Sequence, residues 1–163
     1  YPAELVALAG AIAADDTLEH AYRALALTQP GEADIAREIG GNINPDAIFA
    51  AREGLVLAIA QGNRDGFARL YETLRDDGPF SPDAASAGRR ALRNMLLDYL
   101  SVLDGGAGLA ARHFEAATNM TDRAAALTVL AHRHQHSSNG QRSADHVVLH
   151  RQADPIGGIE QRG

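Results

Sequence analysis

The stretch ALRNMLLDYLSVLDGGAGLAARHFEAATNMTD, residues 91–122, decides the fold class of this chain. Its first half repeats apolar side chains at intervals of three and four, which is typical of one buried face of an α-helix. These residues are Leu92, Met95, Leu96, Tyr99, Leu100 and Leu103. The following Asp104-Gly105-Gly106 ends the pattern, because glycine readily adopts the conformations that stop a helix. The stretch therefore predicts a long helix followed by shorter ones, the last of them opened by Thr121 as N-cap.

The same helical period continues on the N-terminal side, interrupted by proline and glycine. Asn44-Pro45 and Ser81-Pro82 each predict a helix start, with the first residue as N-cap and proline in the first turn. Asp16 and Glu19 have the spacing of a capping box for the second helix, which would bury a face containing Leu18, Tyr22 and Leu25. No segment alternates with period two, so no strand is predicted. We therefore predict an all-α fold, an irregular α-superhelix of antiparallel helix pairs, with seven to nine helices within residues 2–131.

Composition restricts the functional class. Hydrophobic residues make up 45% of the 163 residues but aromatic residues only 5%, so the core must consist of Ala, Leu, Ile and Val. The net charge of −6 argues against nucleic acid as a partner, because phosphate binding needs a basic surface. No apolar run approaches the ~20 residues that span a bilayer, so no membrane association is expected. The chain has no Cys, which excludes disulfides and thiolate metal ligands. Because it starts at Tyr1 without a charged leader, we expect a fragment without a signal peptide.

The segment 132–163 differs from the rest in composition. It contains five of the seven His residues and few apolar ones, so it has little surface to bury, and we predict it to be an unstructured tail. His132, His134 and His136 alternate, and such imidazoles are possible metal ligands, yet a specific site also needs fixed geometry. We therefore expect no metal site, with these three as the weak alternative. The predicted domains are 1–131, a helical body, and 132–163, the tail. At the end of the body, Leu127, Val129 and Leu130 predict an exposed apolar ridge.

A few polar residues of the body stand out. Arg52 lies in the apolar stripe between Ile48 and Leu55, and a core-facing Arg needs a carboxylate partner. It is interpreted either as a residue lining an enzyme's cavity or as one half of an ion pair between helices. Asp46 and Glu53 are possible local partners or simply charges of the helix. His20 and His113 are expected to be surface or packing residues. A basic face is expected to be solvated or paired with Asp98 and Asp104; it contains Arg89, Arg90 and Arg93.

Three stretches carry a resemblance to a known family. INPDAIFAAREGL (43–55), together with LRN (92–94) and HFEAATNMTD (113–122), resembles the C-terminal helical domain of the aminopeptidase N family, zinc-dependent gluzincins. The resemblance covers about residues 2–130. It implies a superhelix that folds over a thermolysin-like catalytic domain of the same polypeptide and closes its substrate cavity. It also implies a cytoplasmic parent enzyme that removes N-terminal residues from peptide substrates with zinc-activated water and a Glu general base.

The motifs that carry this chemistry in the family do not occur in the 163 residues. These are a His-Glu-x-x-His helix, a distal Glu ligand and a Gly-x-Met-Glu-Asn loop. The resemblance therefore implies a non-catalytic fragment, with no catalytic or cofactor-binding residue in this chain and with zinc held elsewhere in the parent. The alternative is a freestanding helical-repeat module that binds protein.

Overall fold

A computed structural model describes residues 1–76 and 78–132 of the chain. These residues form eight α-helices and no strand, which confirms the predicted all-α class and helix number. The helices are α1 Ala3–Ala14, α2 His20–Ala26, α3 Glu32–Ile39, α4 Pro45–Gly62, α5 Arg64–Thr73, α6 Ala84–Ser101, α7 Gly106–Ala116 and α8, residues 120–132. Residue 132, the first of the tail predicted to be unstructured, is the last residue of α8, and the rest of that tail lies outside the described residues. Within the described residues, no helix combines the length and apolar character that a membrane span requires.

Helix α6 lies at the centre of the body, in contact with α2, α4, α5 and α7. Its apolar stripe provides the innermost side chains, since Leu92, Leu96 and Leu97 are fully buried. Phe67 of α5 packs against Tyr99 of α6, with the ring centroids 5.5 Å apart. The segment that decides the fold class in the sequence is thus also the segment around which the core is built.

The caps show how each helix starts. Asn44 caps α4 as predicted, because its Oδ1 accepts a hydrogen bond from the backbone N of Ala47 at 3.1 Å. The prediction of Ser81 as N-cap is wrong. Asp83 caps α6 through its Oδ1, which accepts from the backbone N of Ser86 at 2.9 Å. Ser81 instead donates its hydroxyl to Asp83 Oδ2, so it supports the cap without being one.

The predicted capping box and the predicted cap of the last helix are also wrong. Glu19 precedes α2 without any side-chain cap, and Asp15 instead accepts from the backbone N of Thr17 at 3.0 Å, closing a local turn. At the start of α8, the backbone N of Asp122 donates to Asn119 Oδ1 at 3.0 Å, so Asn119 holds the position predicted for Thr121. The start of α2 thus has no side-chain cap, whereas α8 is capped by Asn119, a residue type that caps helices at least as well as Thr.

The buried face of α2 is not the one that its large apolar residues predict. Tyr22 is 58% exposed and Leu25 is 71% exposed, whereas Ala24 and Leu27 are buried. The reason is the close approach of α2 to α6: a Cβ added at Gly88 of α6 would lie 3.0 Å from the backbone N of Ala21. Such a short distance leaves no room for Tyr or Leu side chains between the two helices.

The predicted apolar ridge on α8 is wrong for two of its three residues. Val129 is only 4% exposed, and Leu130 is partly buried against the core. Only Leu127 stays exposed, at 52%. Because Ala126 is fully buried as well, α8 turns its apolar face to the body and leaves no continuous ridge.

Candidate functional site

A cluster of buried polar residues lies where α5, α6, α7 and the start of α8 meet. At its centre, the hydroxyl of Tyr71 on α5 and Nδ1 of His113 on α7 share a hydrogen bond of 2.7 Å. Each of the two residues is 3% exposed. His113 Nε2 is buried too and has no hydrogen-bond partner among the described residues. Sequence analysis expected His113 to be a surface or packing residue, and the structure places it in the interior as a hydrogen-bonded packing residue.

Burial sets the protonation of this pair. It lowers the pKa of His113 below the ordinary value, and the charge of Arg93 lowers it further, while Asp122 acts in the opposite direction. Burial also raises the pKa of the Tyr71 hydroxyl. Both groups are therefore neutral at pH 7, and the proton of their hydrogen bond belongs to either partner according to the histidine tautomer.

Arg93 of α6 covers the tyrosine. Its guanidinium carbon lies 4.6 Å from the centroid of the Tyr71 ring, and its Nε donates to the backbone O of Tyr71 at 3.3 Å. A guanidinium over an aromatic face is stabilised by the ring's quadrupole. The arrangement joins α6 to α5 beside the Tyr71–His113 pair.

Asp122 connects the start of α8 to α6. Its Oδ1 accepts from Asn94 Nδ2 at 3.0 Å and its Oδ2 from Asn119 Nδ2 at 2.9 Å. Asn119 in turn caps α8 through the backbone N of Asp122. The LRN and NMTD segments, which carry the family resemblance, thus meet in space through these three side chains. Their contacts are structural, because both carboxylate oxygens are occupied by protein amides.

A cavity of about 260 Å³ opens beside this cluster. Four polar residues that are buried or half-buried, Tyr71, Arg93, His113 and Asp122, form its inner wall. Leu109 and Ala117 add apolar surface to this wall. The exposed rim is lined by Glu72, Arg75, Asp76, Arg112, Ala116 and Thr118. The cavity therefore combines a neutral Tyr–His pair with charged groups of both signs, and it is the candidate binding site of the body.

Arg52 is not part of this site. Its Nη1 lies 3.1 Å from Glu32 Oε1, and its Nε donates to the backbone O of Pro30 at 2.8 Å. Arg52 thus connects α4 to α3 and to Pro30, two residues before α3. Its carboxylate partner is Glu32, not the expected Asp46 or Glu53. This geometry agrees with the interpretation as an ion pair between helices, and we propose that structural role for Arg52.

The basic face of α6 has partners other than the expected Asp98 and Asp104. Arg89 Nη1 lies 3.1 Å from Asp76 Oδ2, and the Arg90 guanidinium carbon lies 4.6 Å from the Phe80 ring centroid. Both contacts hold the segment between α5 and α6 against α6. The sequence could not indicate them, because Asp76 and Phe80 lie in a loop whose path depends on the packed helices.

Within the described residues, no three His, Asp or Glu side chains come together in a way that could hold a metal ion. His20 lies at the start of α2, where burial and the charges of Arg23 and Arg89 lower its pKa. His132 is the last described residue, and His134 and His136 lie outside the described part. The alternative of a metal site in the tail therefore stays a prediction.

One buried charge was missed by the sequence analysis. Arg23 on α2 is 4% exposed, and its Nη1 donates to the backbone O of Ala13 in the last turn of α1 at 2.9 Å. A cation at this end of a helix is stabilised by the unpaired carbonyls and the helix dipole. The burial of Arg23 was not expected, because Tyr22 and Leu25 of the same helix were expected to face the core.

Comparisons with known proteins bear on the family resemblance of the sequence. Two curated relatives are both named aminopeptidase N. The one from Caulobacter vibrioides is 44% identical over 110 residues, which make up 66% of this chain and 13% of the relative. The one from Haemophilus influenzae is 36% identical over 105 residues, 64% of this chain and 12% of the relative. The chain thus spans a small part of these relatives, and they confirm its resemblance to aminopeptidase N.

A solved structure shares the fold. Legionella pneumophila aminopeptidase A, in complex with aspartic acid, matches with a TM-score of 0.70 and 21% identity. The match covers 85% of this chain and 17% of that chain. The family model described as "Domain of unknown function (DUF3458_C) ARM repeats" matches residues 1–151, past the point near residue 130 where the resemblance was expected to end. The chain belongs to this DUF3458_C family of ARM-repeat domains.

Proposed function

We propose that this chain is a non-catalytic helical domain of a zinc-dependent aminopeptidase that removes N-terminal residues from peptides. The domain forms a wall of the substrate cavity and a surface for substrate access, and its partner is the catalytic domain of the same polypeptide. The observation that carries the proposal is the 44% identity to an aminopeptidase N, of which the matched segment is 13%. A segment of that size leaves room for a separate catalytic domain in the parent.

The described residues do not fit a zinc centre. A catalytic zinc site needs three fixed protein ligands and an open position for water. Nδ1 of His113 is occupied by Tyr71, and no group of three possible ligands occurs in residues 1–76 and 78–132. We therefore assign zinc to the rest of the parent polypeptide and no chemical step to the residues described here.

The reading frame upstream of Tyr1 provides the first test. The proposal expects a His-Glu-x-x-His sequence several hundred residues before Tyr1, in the same frame. An initiator Met directly before Tyr1 would instead leave the chain without a catalytic domain and would contradict the proposal.

The role as a cavity wall needs a second measurement, made on the parent enzyme. A peptide inhibitor bound at the active site should slow amide hydrogen exchange on one face of residues 1–132, because a wall residue loses contact with water. Unchanged exchange over this whole range, with slowed exchange in the catalytic domain as a positive control, would contradict the role.

The second candidate is a freestanding module that binds protein through its helical repeats. The packing of α8 against the rest of the body favours this second candidate. Val129 and Ala126 are buried, so the described part of α8 presents no continuous apolar ridge. A purified chain that is a monodisperse monomer and does not bind a hydrophobic dye would support this candidate. Self-association or dye binding would favour a domain that needs the remainder of a larger protein.

A further inference from the structure

The cavity beside Tyr71 and His113 contains charges that the protein itself does not neutralise. Asp122 accepts hydrogen bonds from Asn94 and Asn119, and Asp76 pairs with Arg89. These two carboxylates of the cavity are therefore engaged with the protein. The charges that remain decide what the cavity can bind.

Three arginines line the cavity, and because Arg75 has an interaction partner of its own, two guanidinium groups remain available. Arg93 uses its Nε for the backbone O of Tyr71, and its terminal amino groups have no hydrogen-bond acceptor in the described part of the chain. Arg112 is exposed on the rim, and its side chain forms no hydrogen bond or ion pair with a described residue. Both are near enough to Tyr71 for their charges to act on the pKa of its hydroxyl. They therefore face the same small space.

One carboxylate remains as well. Glu72 lies on the rim, exposed, and its side chain has no hydrogen bond or ion pair among residues 1–76 and 78–132. Because His113 is neutral, the available groups are two positive charges and one negative charge. A ligand that matches them carries a carboxylate and an ammonium group.

We propose that this cavity binds a small α-amino acid, with its carboxylate held by Arg93 and Arg112 and its ammonium group by Glu72. Guanidinium groups bind carboxylates through paired hydrogen bonds, which are stronger than those between neutral groups. The volume of about 260 Å³ accommodates a molecule the size of alanine. The proposal goes beyond the function proposed above and does not depend on it, because the proposed binding uses only residues of this chain and no zinc ion.

His113 provides the reporter for a test. Its Nε2 is enclosed and does not contact a ligand directly, but its ring lines the cavity and is joined to Tyr71. Ring ¹⁵N and backbone amide chemical shifts of the purified 163-residue chain should change with L-alanine in a saturable way, around Tyr71, Arg93 and His113. Propionate lacks the ammonium group and should bind about tenfold more weakly, the effect of losing one charged contact. Ethylamine, which lacks the carboxylate, should cause no saturable change.

Variants on the exposed rim separate binding from folding. Arg112→Gln should weaken L-alanine binding about tenfold, and Glu72→Gln should weaken L-alanine but not propionate. Arg37→Gln is the matched control, because Arg37 is an exposed arginine that pairs with Asp34 on α3, away from the cavity. It should leave binding unchanged.

Three results would overturn the proposal. The first is the absence of saturable shifts with L-alanine at millimolar concentrations. The second is equal binding by the wild-type chain and Arg112→Gln. The third is tighter binding of inorganic phosphate than of L-alanine, which would show that the cavity selects an oxyanion rather than an amino acid.

Discussion

Two glycines in the first turn of α7 should respond in opposite ways to the same substitution. A Cβ added at Gly106 would lie 2.3 Å from the backbone O of Ser101 and 2.5 Å from its carbonyl carbon. These are backbone atoms at the end of the buried helix α6, so they cannot move aside as a flexible side chain would. Gly106→Ala must therefore displace α7 from α6. Overpacking of this kind costs about 3 kcal/mol, and the better helix propensity of Ala offsets about 1 kcal/mol.

The net expectation for Gly106→Ala is a loss of about 2 kcal/mol in the free energy of unfolding. Gly108→Ala is the matched control, two residues further along the same helix. There the nearest atom to an added Cβ is Arg112 Nη1 at 3.4 Å, an ordinary contact with a flexible side chain. Gly108→Ala should therefore raise the free energy of unfolding by up to about 1 kcal/mol, since Ala loses less backbone entropy on folding.

Urea unfolding followed by far-ultraviolet circular dichroism measures both variants against the wild-type chain. The expected difference between them is about 3 kcal/mol, which is large compared with the error of the extrapolation. A Gly106→Ala variant that is at least as stable as the wild-type chain would show that α7 does not pack on Ser101 as closely as the structure has it. A Gly108→Ala variant that is as unstable as Gly106→Ala would refute the reasoning in the same way.

Three further predictions concern the polar residues of the body. Asp122→Ala should lower the free energy of unfolding, measured in urea, by about 3 kcal/mol, because the side-chain amides of Asn94 and Asn119 lose their acceptor. The control Glu115→Ala removes an exposed side chain of α7 and should change the free energy of unfolding by less than about 0.5 kcal/mol. Asn44→Ala should lower it by about 1 kcal/mol through loss of the α4 cap, and an unchanged urea midpoint would contradict that cap. Because burial lowers the folded-state pKa of His113, its contribution to stability is present above the unfolded pKa of about 6.5 and is lost as the pH falls through the folded-state pKa. The urea midpoint of the wild-type chain should therefore be lower at pH 5.5 than at pH 7.5, and His113→Gln should reduce this difference. An equal difference in both chains would contradict the prediction.

The sequence predicted the helices well because their signals are local. The stripe that starts at Leu92 and the Asn44-Pro45 start each depend on residues within a few positions, and both form helices as predicted, although α6 ends at Ser101 and leaves Leu103 just beyond it. Features that depend on contacts between helices were less predictable. The exposed Leu25 of α2 is one example, since only the close approach of Gly88 to Ala21 explains which face of α2 is buried.

The polar residues that the sequence singled out, inside and outside the candidate site, follow the same distinction. A core-facing Arg52 predicted a carboxylate partner, but nothing local identified Glu32, twenty residues earlier, as that partner. Tyr71 and His113 are 42 positions apart, so their hydrogen bond appears only in the folded chain. A signal was present for Asp122, because the NMTD segment marks the family resemblance. Its role as the link between α8 and Asn94 nevertheless required the structure.

The central proposal is that this chain is a non-catalytic domain of an aminopeptidase. The most direct test is the release of chromophore from an alanine anilide by the purified chain, with and without added zinc, and by a longer polypeptide that contains the chain and the upstream His-Glu-x-x-His sequence. We expect no turnover above buffer for the 163-residue chain in either condition, and turnover for the longer polypeptide that a chelator abolishes. Turnover by the chain alone that persists after removal of residues 133–163 would contradict it.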